Sequence, residues 1–158
     1  MNRNHTKSIA SAAVVAALYA ALTVLSEPIS YGILQIRIAE ALCVLPYFSS
    51  VMIAGVTAGC LIANLFSPMM ILDVIFGTLA TFLGAVGTRL IARTKLWWLA
   101  PLPPVVCNTL IVGTMLTVTE GTADMFLLNI LSVFAGEAIA CYGLGLPLLL
   151  LVKKKKLL

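Results

Sequence analysis

Arg37 and Glu40 lie three residues apart in the stretch RIAEAL. Four more polar residues stand in largely apolar surroundings: Asn64, Asp73, Asn108 and Glu137. Arginine and glutamate at that spacing share one side of a helix. Together the six offer three carboxylates as acceptors, one guanidinium fork and two amides. A carboxylate accepts paired hydrogen bonds from adjacent N–H groups, such as those on a guanine-like edge. The set therefore suits a small polar molecule with several N–H donors and some cationic character. Simpler readings stay open for each residue. Arg37 and Glu40 could pair with each other, Asp73 could cap its helix or bond to a neighbouring one, and Asn64 and Asn108 could join helices. Glu137 is the hardest to place in that way, because its own apolar run holds no basic neighbour.

Catalysis finds little support. The chain has no GxSxG and no HExxH, so neither a nucleophile elbow nor a zinc-binding helix is spelled out. His5, the sole histidine, lies in the polar N-terminal tail. Cys43, Cys60, Cys107 and Cys141 are far apart, form no CxxC pair and lie in apolar runs. They read as buried thiols acting as small apolar side chains. No metal and no resident cofactor is expected. There is no GxxxxGK[ST] either. Active transport by this chain would draw its energy from a partner or an ion gradient, and the inverted repeats usual in secondary transporters are not evident.

The elements that must position these residues read as membrane spans. Of 158 residues, 61% are hydrophobic and 10% charged, against about 25% charged in a soluble domain. Uncharged runs cover 8–26, 41–72, 74–88, 96–119 and, broken by Glu137, 125–152. A span takes roughly 20 apolar residues. The expectation is an all-α integral membrane protein, one domain over 1–158, with six spans near 8–25, 36–48, 51–66, 70–91, 104–118 and 125–152. Basic residues cluster at Arg3 and Lys7, at Arg89, Arg93 and Lys95, and at Lys153 to Lys156. Acidic loop residues are Glu27, Glu120 and Asp124. Six spans with both termini cytoplasmic place every basic cluster inside and every acidic loop outside, as the positive-inside rule asks. The basic residues flank spans and are not interleaved with exposed aromatics, which argues against nucleic-acid binding. A cleaved leader at the N-terminus would upset this alternation. Trp97 and Trp98 beside Arg93 and Lys95 read as interfacial anchors.

At 1.5 Å per residue, Arg37, Glu40, Asn64 and Asp73 fall in the outer third and Asn108 and Glu137 deeper. All six are expected to line one outward-opening cavity, with loop 26–35 as its lid. The first span carries two small-residue rows, Ala12, Ala16, Ala20 and Ala13, Ala17, Ala21. Such rows allow close helix approach in lipid, either within the chain or against a partner subunit.

The stretches SEPISYGILQIRIAEALCVLPYFSS, AGCLIANLFSP and LDVIFGTLATFLGA resemble the QueT family, substrate-binding S-components of energy-coupling factor (ECF) transporters. The resemblance runs from the first span to Glu137. It implies a six-helix S-component in the cell membrane that captures a queuosine precursor from outside: a 7-deazaguanine such as preQ1, queuine or queuosine. It also implies association with a transmembrane T-subunit and two cytoplasmic ATPases, docking through Ala12, Ala16 and Ala20. The family motif falls on Arg37, Glu40, Asn64 and Asp73, whereas Asn108 and Glu137 rest on the depth argument. Leu34 stands where a proline is common and Ala39 where a serine is common. The competing expectations are an S-component for riboflavin or thiamine, and a small membrane enzyme or channel.

Overall fold

The computed structural model describes residues 3–26, 36–94, 96–120 and 123–155. The expected lid over 27–35, with Glu27 and Leu34 in it, lies outside the described residues. The described residues are mostly helical, joined by short turns, with no strand among them. Six principal helices follow one another: α1 (Arg3–Leu25), α2 (Ile38–Tyr47), α3 (Val51–Asn64), α4 (Met70–Ile91), α5 (Leu102–Glu120) and α6 (Phe126–Lys155).

Four of them, α1, α4, α5 and α6, are long and apolar enough to cross a bilayer. Their outer faces carry Leu18, Ile75, Leu83, Leu110, Leu127 and Phe134, all exposed. Exposed apolar surface on this scale is stable only against lipid or a partner. The chain is thus an all-α, multi-pass membrane protein. α2 and α3 are apolar but shorter, 10 and 14 residues. At 2.0 and 1.5 Å per residue they reach only about 20 Å each, short of the ~30 Å hydrocarbon core. Helix length alone therefore gives four spans, not six.

α2 is wound as a 3-10 helix with Pro46 inside it. Proline has no N–H to give to an α-helical ladder. In a 3-10 helix residues three apart eclipse one another, so Glu40 and Cys43 stand in one line, with Arg37 capping the helix one turn ahead. Ala39 to Pro46 are all buried, which makes α2 the central rod of the bundle. α6 packs on it at Gly145, where a Cβ would meet Val44 Cγ1 at 3.0 Å and the Ala41 carbonyl oxygen at 3.1 Å. Arg89 of α4 donates to the Tyr47 carbonyl oxygen over 3.0 Å, satisfying an acceptor at the end of the rod.

α1 lies along α3. A Cβ on Gly55 would stand 3.0 Å from the Ala12 carbonyl oxygen, and one on Gly59 would stand 2.6 Å from Tyr19 Cβ and 3.0 Å from Ala16 Cα. This small-xxx-small contact lets two backbones touch. Of the expected docking row, Ala12 and Ala16 lie against α3 and Ala20 is half-buried, whereas Ala13, Ala17 and Ala21 face outward. The row one residue further round the helix is the one left open.

Two helices contain π-helical turns, Asp73–Gly77 in α4 and Ile139–Gly145 in α6. Such turns are rare and concentrate at functional sites. Asp73 opens the first, and Glu137 sits two residues before the second. At the opposite end of the bundle, Lys153 Nζ lies 5.6 Å from the centre of the Trp97 ring, a cation–π contact, and Trp98 is exposed.

Candidate functional site

Arg37, Glu40, Asn64, Asp73, Asn108 and Glu137 are all buried, none more than 4% exposed. The structure brings them into one polar network drawn from five helices and the Arg37 cap. The network has two halves.

In the first, Arg37 Nη2 pairs with Asp73 Oδ1 at 3.5 Å, and Arg37 Nη1 donates to Asn64 Oδ1 at 3.4 Å. Asn64 Nδ2 donates to the Asp73 carbonyl oxygen at 2.7 Å, which also accepts the Thr78 backbone N–H of the π turn. Ser67 Oγ donates to Asp73 Oδ2. Arg37 thus makes its ion pair across helices. Gly77 gives this half its room: a Cβ there would be 2.9 Å from Asn64 Nδ2 and 3.5 Å from Arg37 Nη1.

The second half centres on Glu40. Tyr19 of α1 donates to Glu40 Oε1, and Thr81 of α4 donates to the same oxygen at 3.2 Å. Cys43 donates its thiol to Glu40 Oε2 at 3.0 Å. Across from it, a Glu137 carboxylate oxygen, a Glu40 oxygen and Cys141 Sγ all lie within 4.8 Å of one another. Cys141 donates to Glu137 Oε2 at 3.6 Å. The Asn108 amide lies beside Glu137, yet its Nδ2 is buried with no hydrogen-bond partner among the described residues. Cys60 joins the halves, accepting from Asn64 Nδ2 at 3.3 Å and from Thr81 Oγ1 at 3.2 Å.

Tyr19, Cys43, Cys60, Ser67, Thr81 and Cys141 belong to the network and were not singled out from the sequence. Cys43, Cys60 and Cys141 are buried thiols, as expected, with Cys43 and Cys60 packed in the apolar core, and each also meets a polar partner. A signal existed for them: Cys43 follows Glu40 by three, Cys141 follows Glu137 by four, and Cys60 precedes Asn64 by four. Each thiol is one turn from a polar residue. The members of the network hydrogen-bond to one another. An open cavity of about 360 Å³ lies elsewhere, between α4 and α5, among apolar side chains including Leu72, Phe76, Leu110 and Met115.

Such an arrangement offers carboxylate acceptors and amide and guanidinium donors to a small polar ligand. It holds three buried carboxylates against one buried guanidinium, and a donor amide waiting for an acceptor. The family model described as QueT transporter matches residues 9–154. The chain belongs to the QueT transporter family. It is similar to the Queuosine precursor transporter QueT of Lactococcus lactis subsp. cremoris, with 39% identity over 98 residues. That alignment takes in 60% of this chain and 57% of the relative. No solved structure matches. QueT membership makes this a chain of a transporter family, not an enzyme family, in keeping with its apolar helices.

Proposed function

We propose that the chain is the substrate-capturing S-component of an ECF-type importer and that its substrate is a queuosine precursor, a 7-deazaguanine such as preQ1, queuine or queuosine. The observation that carries this reading is the facing of Glu40 and Glu137 beside the unpartnered Asn108 amide. A deazaguanine edge presents adjacent N–H donors and one carbonyl acceptor, the complement of two carboxylates and an amide N–H. An aminomethyl cation on the same ligand offsets the excess of buried negative charge. Arg37, Asn64 and Asp73 form the adjoining polar wall. Because the network bonds to itself, the ligand must replace contacts already made, and opening the Arg37–Asp73 pair is part of that exchange.

The remaining parts of the reading follow from the sequence. Basic ends and acidic loops place both termini in the cytoplasm, with α2 and α3 counted as short spans to give six. The resemblance to ECF S-components supports an energy supply from two cytoplasmic ATPases through a T-subunit. The outward row Ala13, Ala17 and Ala21 on α1 is the docking face for that subunit.

Calorimetric titration of the purified protein with preQ1, queuine and queuosine tests the substrate. Binding of at least one is expected, and silence with all three removes it. Vesicles carrying the chain with and without the T-subunit and ATPases test the mechanism. Uptake that proceeds without the ATPases would exclude an S-component.

A further inference from the structure

Several threonines of this bundle give their hydroxyl to the carbonyl four residues back. Thr23 gives to Tyr19, Thr117 to Gly113 and Thr119 to Met115, an ordinary use of that side chain in a helix. Thr109 departs from the pattern. It is 7% exposed, and its Oγ1 has no hydrogen-bond partner among the described residues. Asn108, the residue before it, is 2% exposed and leaves its Nδ2 in the same state. Two consecutive residues of α5 thus hold buried donors for which the chain supplies no acceptor. Buried polar groups are almost always paired, and one that is not calls for a partner from outside the chain.

Helix geometry places both donors at the level of Glu137. A Cβ on Gly113 would stand 3.3 Å from Ile130 Cα, and Thr117 Oγ1 accepts from Asn129 Nδ2 at 3.3 Å. α5 and α6 therefore run antiparallel along these residues. Thr109 lies one turn before Gly113 and two turns before Thr117, so it shares their side of α5, the side packed on α6. One turn back along α5 matches one turn forward along α6, to about residue 134. Glu137 is three residues further, about 4.5 Å of helix rise. The Asn108 amide lies beside Glu137. It carries two N–H bonds, so a contact to that carboxylate still leaves one to give.

We propose that Thr109 is a further substrate-binding residue, and that its hydroxyl and the Asn108 amide together hold the carbonyl oxygen of the ligand. The proposal rests on the function proposed above and adds a specificity to it. Glu40 and Glu137 accept hydrogen bonds from the N–H groups of a deazaguanine edge but have nothing to give its carbonyl. That oxygen has two lone pairs and takes two donors, the number that Asn108 and Thr109 offer. A base with an amino group in place of the carbonyl turns donors toward donors and leaves both residues unpaired. Sites built to bond a polar group reject analogues that lack it. The pair therefore selects a guanine-type base over its amino counterpart. The sequence concealed Thr109 because a threonine in an apolar helix needs no partner beyond its own backbone.

The test uses the purified full chain in detergent, with Thr109→Val and Thr109→Ser beside the parent. Melting curves come first, without ligand. Replacing an unpaired buried hydroxyl by a methyl is neutral or stabilising, so Thr109→Val should melt at the parent temperature or above it. Calorimetric titration follows, with preQ1 and with its counterpart carrying an amino group for the carbonyl oxygen, the weaker ligand read by competition. Thr109→Val should bind preQ1 roughly two- to tenfold more weakly and lose preference over the amino counterpart by the same factor. Thr109→Ser keeps the donor and should hold both values within about twofold. A valine variant that melts clearly earlier, with serine restoring it, assigns the hydroxyl a structural partner and overturns the proposal. So does unchanged preQ1 affinity, or an equal loss for both ligands. A parent chain that binds no preQ1 removes the substrate reading and the carbonyl contact with it. A parent that binds preQ1 while Thr109→Val binds equally well removes the contact alone.

Discussion

Glu40 on α2 and Glu137 on α6 bring carboxylate oxygens within 4.8 Å of each other inside a helical bundle. Two such groups repel when both are ionised, and a low-dielectric interior amplifies that repulsion. Their approach is held by unrelated contacts: Tyr19 and Thr81 grip Glu40, and Gly145 lets α6 close on α2. In the function proposed above, a cationic group of the ligand would lie between them.

Neutral isosteres test that relationship. Glu40→Gln and Glu137→Gln keep the shape and remove the charge. A hydrogen bond to a charged group is worth about 1.5–3 kcal/mol, or roughly 10–100-fold in affinity. Each substitution should weaken preQ1 binding by that factor in calorimetric titration. Glu120→Gln, at the end of α5, should stay within about twofold. Equal affinities for all three variants would take both carboxylates out of the site.

The Arg37–Asp73 pair is buried, with side chains 5% and 6% exposed. Removing one member of a buried pair costs about 3–5 kcal/mol, because the other is left uncompensated. Arg37→Met should therefore lower thermal stability sharply. Arg37→Met combined with Asp73→Asn should recover more than half of that loss, and the double-mutant cycle measures the coupling. If the double variant is no more stable than Arg37→Met, then Glu40 and Glu137 are what Arg37 balances.

The all-α, membrane-embedded character was legible because apolar runs end at proline, serine or charge. Six polar residues in those runs were legible as a set because each is costly in hydrocarbon. What joined them was not. Hydropathy carries no mark of a 3-10 rod at Ile38–Tyr47 or of π turns after Leu72 and Ala138, yet these set the direction of Glu40, Asp73 and Cys141. Thiols pass as apolar in composition, so Cys43, Cys60 and Cys141 were hidden by their type. The alanine rows show a different limit. Periodicity found both, but only the position of Gly55 and Gly59 on α3 decides which row is covered.

Thr81 Oγ1 lies 3.2 Å from both Glu40 Oε1 and Cys60 Sγ, with its one hydroxyl proton shared between them. Thr81→Val keeps the volume and removes the hydroxyl, leaving a buried carboxylate short of one donor. The expected loss is about 1.5–3 kcal/mol of stability, read from thermal unfolding in detergent. Thr81→Ser keeps the donor and should cost clearly less. Similar losses for valine and serine would assign the effect to the missing methyl contacts and not to the hydrogen bond.

Gly59 and Gly143 offer a matched pair for the α1–α3 contact. A Cβ on Gly59 would meet Tyr19 Cβ at 2.6 Å and the Ala16 carbonyl oxygen at 2.8 Å, whereas nothing lies within 4 Å of one on Gly143. The atoms facing Gly59 are backbone and a Cβ, which move only if the helices part. Overpacking of this kind costs about 1–3 kcal/mol. Parting α1 from α3 also draws Tyr19, and its bond to Glu40, away from the network. Gly59→Ala should therefore lower both the melting temperature and preQ1 affinity. Gly143→Ala should leave both near their starting values or raise stability slightly, since alanine favours the helix by up to about 1 kcal/mol. A Gly59→Ala protein that melts earlier but binds equally well would show that the α1 contact supports the fold without setting the position of Glu40.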